Sequence, residues 1–216
     1  RWRSGMSSAV LMAALLAGGG QATTAAIRAS APDIPVMVAA EAAEAMECAR
    51  LNGSGAQATR LAVIDYTRPS SEKRMWVIDL VRRRLLFKEH VSHGQGSGPV
   101  VANRFSNQEG SHATSLGLFL TDSTYQGGNG YSLRLNGLSG SLNSRARERA
   151  IVIHGAAYVH PDGGRVGRSW GCPAVRPLVA KPLIDTLQNG QFVYAFGPGS
   201  SKAAACRGLA FLGGFN

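Results

Sequence analysis

Acidic residues are scarce in this chain: 13 Asp and Glu stand against 23 Lys and Arg over 216 residues, a formal net charge of +10. A surface of that sign attracts polyanions, so nucleic acid, an anionic wall polymer and a substrate with free carboxylates all fit it. Aromatic residues are also few, at 7%. They are not interleaved with the basic residues, and no recognised nucleic-acid module is present, which argues against nucleic acid as the partner. The two basic clusters, Arg82-Arg83-Arg84 and Arg145 with Arg147 and Arg149, read as a solvated positive face.

Cysteine is nearly missing. Cys48, Cys172 and Cys206 form no CxxC or CxxxC pair, so a structural zinc knuckle has no support and neither metal nor cofactor is expected. In an oxidising compartment an odd count leaves one thiol over, or pairs it with another chain. The N-terminal apolar run, residues 9–17, falls well short of the roughly twenty residues that span a bilayer, so no permanent membrane span is expected. With Arg1 and Arg3 ahead of it and small residues 18–26 behind, it reads as an export signal over residues 1–30, with cleavage somewhere in 22–31. The expected location is therefore periplasmic or otherwise extracytoplasmic. The chain opens on Arg rather than Met, so its true start stays open.

What is abundant is glycine, at 27 residues, much of it clustered between apolar stretches. That spacing suits a loop-rich β protein. Residues 38–50 are rich in helix formers and end at Asn52-Gly53, which predicts one leading helix. Strands are expected at 61–67, 75–81, 84–91, 114–121, 131–136, 150–154 and 192–196, with a helix over 177–188 stopped near Gly190. Neither a repeat nor a linker interrupts the centre. The fold class is mainly β, a single domain with a few short helices. Its parts are the signal at 1–30, a helical lead-in at 31–60, a catalytic domain at 61–197 and a tail at 198–216.

Two segments carry chemistry. Ile151-Val152-Ile153-His154-Gly155 is a buried-type strand ending on a histidine, so the sheet aims the ring. Gly167-Arg168-Ser169-Trp170-Gly171-Cys172-Pro173 places a cysteine after a glycine turn and before a helical stretch, where backbone N–H groups stabilise an anion. A cysteine thiol near pKa ~8.5 is only a few per cent ionised at neutral pH. A neighbouring histidine takes the proton and leaves a thiolate–imidazolium pair; the thiolate attacks an amide carbonyl, and N–H groups near Gly171 and Cys172 hold the oxyanion. His93 and His112 read as loop or edge histidines. Trp170 either paves a substrate groove or packs conventionally.

His154-Gly155 followed by Ser169-Trp170-Gly171-Cys172-Pro173 resembles the HG…S-x-G-C signature of L,D-transpeptidases, the YkuD-type enzymes that cross-link peptidoglycan. Phe105-Ser106-Asn107, Ser115-Leu116-Gly117 and the segment 131–137 look like one branch of that family, and the likeness runs from about Leu61 to Phe196. The resemblance implies a YkuD-like β-sandwich or mixed-β domain. By position, Cys172 matches the family's nucleophile, His154 its general base, and Ser169 and Gly171 the turn. Two departures stand out: Trp170 where the common pattern has histidine, and Ala174 where Arg or Asn is frequent. A carboxylate contact then falls to Arg168 or Arg176, with Trp170 and Gly155 as further substrate-facing candidates.

The function so implied is a peptidoglycan L,D-transpeptidase that forms a Cys172 thioester with a wall tetrapeptide and passes it to an amine, with stem peptides as its partners. An L,D-carboxypeptidase or wall-peptide hydrolase with the same Cys–His site is one alternative. A non-catalytic exported wall-binding protein is another. Cys48 and Cys206, outside the motif and flanking the domain, are expected to form a disulfide.

Overall fold

The computed structural model describes residues 8–160, 166 and 168–203, with residues 8–18 and 202–203 as backbone only. Arg1, Arg3, Gly167 and Cys206 therefore lie outside the described residues. Among the described residues three α-helices, α1 (Ser8–Ser30), α2 (Val36–Leu51) and α3 (Pro177–Leu187), accompany eight strands. The strands are β1 (Arg60–Asp65), β2 (Met75–Asp79), β3 (Arg84–Glu89), β4 (Gly117–Gly127), β5 (Gly130–Gly137), β6 (Val152–Gly155), β7 (Ala174–Val175) and β8 (Phe192–Phe196). They hydrogen-bond into one mixed sheet in the order β3-β2-β1-β8-β4-β5-β6-β7. Most neighbours are antiparallel, but β1 with β8 and β6 with β7 run parallel. The mainly β expectation holds, in its mixed-β form.

The sheet is apolar on both faces, and that explains its sequence. Along β1, Leu61 and Val63 face one cluster with Trp76, Ile78, Phe192 and Tyr194, which α1 and α2 cover through Ile27, Val38, Ala42 and Met46. Ala62 and Ile64 point the other way, into a second cluster with Val77, Leu133, Ile153 and Val193 that Leu183, Ile184 and Leu187 of α3 close. A strand covered on both faces has no polar side to alternate with. α2 buries a stripe rich in alanine, and such small side chains let a helix lie close on the sheet. The outer strand β3 is exposed at Arg84 and Leu85, and Arg84 and Lys88 give this edge the charge that discourages pairing with another chain.

Several boundaries moved. The leading helix is longer than 38–50, and Asn52 caps it with Gly53 left-handed (φ 80°). β4 extends past residue 121, through a register shift between Thr121 and Thr124, into a hairpin closed by Gly127-Gly128-Asn129-Gly130. α3 ends at Leu187, where Asn189 (φ 61°) and Gly190 (φ 77°) turn the chain into β8. β7 was not foreseen; two residues are too few for any periodicity. α1 continues through the stretch proposed for cleavage, and Ile27 is fully buried in the α1–α2 cluster. Among the described residues no helix is long and apolar enough to cross a membrane.

Candidate active site

His154 is the third residue of β6, held between Ser132 of β5 and Ala174 of β7. Its ring is almost wholly enclosed (4% exposed). Nδ1 lies 3.0 Å from the Gly155 carbonyl. A carbonyl only accepts, so Nδ1 carries the proton and Nε2 keeps the lone pair. Gly155 is needed for packing as well: a Cβ there would come within 2.9 Å of the Ala180 Cβ on α3.

Cys172 sits where β7 begins to form, two residues ahead of Ala174. The helical stretch expected directly after it starts only at Pro177, because β7 intervenes. The thiol therefore owes nothing to a helix N-terminus. Instead the Val152 N–H donates to Sγ at 3.5 Å, and Sγ faces the Ala150 carbonyl at 3.5 Å. Ala150 turns its carbonyl toward the sulfur from a left-handed conformation (φ 52°), which is uncommon for a residue with a Cβ.

The turn before the cysteine is tied by Ser169. Its Oγ accepts the Gly171 N–H at 3.1 Å and donates to the Cys172 carbonyl at 2.5 Å. The Gly171 N–H is thereby committed and drops out as an oxyanion donor. The Cys172 N–H has no hydrogen-bond partner among the described residues, so it is available to an anion in a way that the Gly171 N–H is not. Gly171 itself is left-handed (φ 120°), and a Cβ there would press on the Ala113 carbonyl at 2.8 Å.

Beneath the turn run residues 92–95, a segment that reads in the sequence as a loop. Ser92 exchanges bonds with Ala174, its N–H giving 2.9 Å and its Oγ receiving the Ala174 N–H at 3.2 Å. Ser169 bonds to the His93 carbonyl at 3.0 Å and the Gln95 N–H at 2.7 Å. Gly94 passes so close that a Cβ would lie 3.0 Å from the Gly171 Cα. The segment is anchored from below by Arg74, which is fully buried. Its guanidinium bonds the Val91 and Arg68 carbonyls and His93 Nδ1 (2.8 Å), and burial lowers its pKa to about 10. His93 is thus no edge histidine: it is fully buried, and burial drives its pKa down to about 4.

Cys172 and His154 both open onto one cleft of about 420 Å³, lined also by Asn129, Arg149, Ala150, Tyr158, Arg168, Ser169 and Trp170. Burial raises the Cys172 pKa, opposed by the Val152 N–H and the positive Arg149; burial likewise lowers that of His154, opposed by the Gly155 carbonyl. Both directions favour the neutral forms. Burial alone therefore opposes the thiolate–imidazolium pair expected from sequence.

The remaining candidates separate. Arg168 is exposed at the cleft, as a carboxylate anchor requires. Arg176 is engaged in a bidentate pair with buried Glu89, both contacts at 2.8 Å, and does not line the cleft. Trp170 is 71% exposed, so it is not part of the core; it lines the cleft and stacks on His112 at 4.8 Å and 10°. Asn129 and Arg149 were missed as site residues. The first lies in a hairpin turn and the second in a basic cluster, and only the folded chain brings either to the cysteine.

The arrangement is a buried cysteine thiol and a tautomer-fixed imidazole lining one cleft. The family model of the L,D-transpeptidase catalytic domain matches residues 30–196, and the chain belongs to that family. Solved structures resembling it include an L,D-transpeptidase from Mycobacterium smegmatis (15% identity, 65% of this chain and 59% of that one, TM-score 0.42). Another is the L,D-transpeptidase from Stackebrandtia nassauensis (16% identity, 83% and 78%, TM-score 0.41). A third is the C442S mutant of the Enterococcus faecium L,D-transpeptidase (16%, 64% and 50%, TM-score 0.39). The chain thus spans 59% of the Mycobacterium smegmatis structure's length. No curated protein matches it.

Proposed function

We propose that this chain is a peptidoglycan L,D-transpeptidase acting through a Cys172 thioester. The observation that carries the reading is the pairing, in one cleft, of Cys172 with a His154 whose Nε2 is kept as a base by the Nδ1–Gly155 contact. The donor is a wall tetrapeptide. Its carbonyl before the terminal D-amino acid takes the attack of Sγ while the thiol proton passes to Nε2. The tetrahedral oxyanion collapses to a thioester, and the departing amine receives that proton. An acceptor amine then gives up a proton to Nε2 as it attacks the thioester, and the new amide forms as the sulfur leaves and is reprotonated. Arg168 binds a donor carboxylate by its planar fork, and the Trp170 face supplies an apolar wall. The protein works outside the cytoplasm, where Cys48 and Cys206 pair.

Mass spectrometry after mixing with a tetrapeptide, with and without an amine acceptor, tests this. An acyl adduct on Cys172 that a cross-linked product replaces only when amine is present is the expected result. Release to water regardless of amine would make the enzyme an L,D-carboxypeptidase, and no adduct at all would overturn the reading. A carbapenem, whose strained lactam offers an equivalent carbonyl, is expected to acylate Cys172 stoichiometrically.

A further inference from the structure

Arg149 reaches the cysteine turn in an unusual state. Its guanidinium donates to four neutral oxygens: the Ser106 carbonyl (2.7 Å), Ser115 Oγ (2.5 Å), Ser111 Oγ (3.2 Å) and the Ala113 carbonyl (2.7 Å). Among the described residues no carboxylate pairs with it, whereas its neighbours Arg145 and Arg147 are paired with Glu109, Glu148 and Asp122. Half-buried and held by four bonds, the charge is fixed in place and uncompensated. Nη2 lies 3.4 Å from where a Gly171 Cβ would stand, and the side chain lines the same cleft as Cys172. The next residue, Ala150, supplies the carbonyl that faces Sγ.

A half-buried cation without a counter-ion still carries a desolvation cost, and hydrogen bonds to neutral oxygens do not cancel its field. Nothing in the packing of residues 106–115 requires a charge there, since a neutral donor satisfies carbonyls and hydroxyls equally. We infer that Arg149 is an electrostatic positioning residue: its fixed, unpaired charge is the counter-ion of the Cys172 sulfur once His154 has taken the proton, and it draws anionic reagents to that thiol. The inference rests on Cys172 being the nucleophile, and it explains how a thiol buried in neutral surroundings ionises at all. The opposing influences of Arg149 on Cys172, and of Cys172 on Arg149, run in the sense this requires.

The test reads the sulfur directly and needs no wall substrate. Cys172 alkylation by neutral iodoacetamide and by anionic iodoacetate is followed against pH, with peptide mapping to read Cys172 alone. Wild type is compared with Arg149→Gln, Arg149→Lys and Ser111→Asp. The last keeps the arginine and sets a carboxylate beside it. An opposite charge close to a thiol moves its pKa by one unit or more, so Arg149→Gln and Ser111→Asp should each slow alkylation near pH 7 by about tenfold. They should also lower the preference for iodoacetate, while Arg149→Lys keeps most of both. If Arg149→Gln does not fold, Ser111→Asp decides. An unchanged pH limb and unchanged reagent preference in Ser111→Asp overturn the inference, as does a loss in Arg149→Lys equal to that in Arg149→Gln. Failure of the Cys172 reading would appear separately, as carbapenem acylation that survives Cys172→Ala.

Discussion

At Cys172 and His154 the chemistry depends on which atoms hold protons. Cys172→Ala should abolish the carbapenem adduct, and His154→Ala should slow acylation by about 10²–10⁴-fold, with melting temperatures little changed in either case. Burial depresses the His154 pKa, so its base form persists below the usual range for histidine. The acid limb of the acylation rate should therefore fall below pH ~6.5, and a limb at or above that value would contradict the assigned state. The two arginines proposed for carboxylate binding should now behave differently. Arg168→Ala should raise the donor KM and leave the melting temperature alone. Arg176→Ala strands the buried Glu89 carboxylate, so it should lower the melting temperature with little effect on KM, as a pair of titrations and melts will show.

At the scale of elements, the cysteine turn is only as rigid as the segment beneath it. Residues 92–95 stitch β7 and the Ser169 turn together, and Gly94 permits the close approach. Gly94→Ala would place a Cβ 2.2 Å from the His112 carbonyl, a distance no real Cβ tolerates. The expected result is a clear loss of thermal stability together with loss of Cys172 acylation; a variant that acylates at the wild-type rate would show that the segment does not hold the turn. This support was barely legible in the sequence. His93-Gly94 looks like a loop, and only pairing with residues distant in the chain makes it a floor. The strands themselves were legible, because β1, β2 and β8 are buried on both faces and must be apolar throughout.

For the whole molecule, two titrations and one proposed covalent bond bear on stability. Folding holds His93 neutral down to about pH 4, whereas in the unfolded chain the same ring takes a proton near pH ~6.5. Between those values the unfolded state binds more protons, so stability should fall as pH drops from about 6.5 towards 4 and be insensitive to this group above it. His154 contributes in the same direction. Chemical denaturation at several pH values checks the slope, which should shrink in His93→Gln. The proposed Cys48–Cys206 bond would close a long loop and stabilise the fold by roughly 2–4 kcal/mol. Non-reducing peptide mapping should find it, and reductant should lower the melting temperature.

The sequence by itself determined the mainly β class, the strand-borne histidine and the cysteine turn, because local patterns carry them: apolar runs for doubly covered strands, glycines for the turn, and a short ordered motif. Tertiary structure decided the rest. It assigned Arg176 to Glu89 and left Arg168 at the cleft; it turned Trp170 outward onto His112. It also put Arg149, from a cluster that reads as surface, against the turn that carries Cys172. The physical reason is common to all four. Which charge is paired, and which ring is exposed, depends on neighbours tens of residues away, and no local pattern records them.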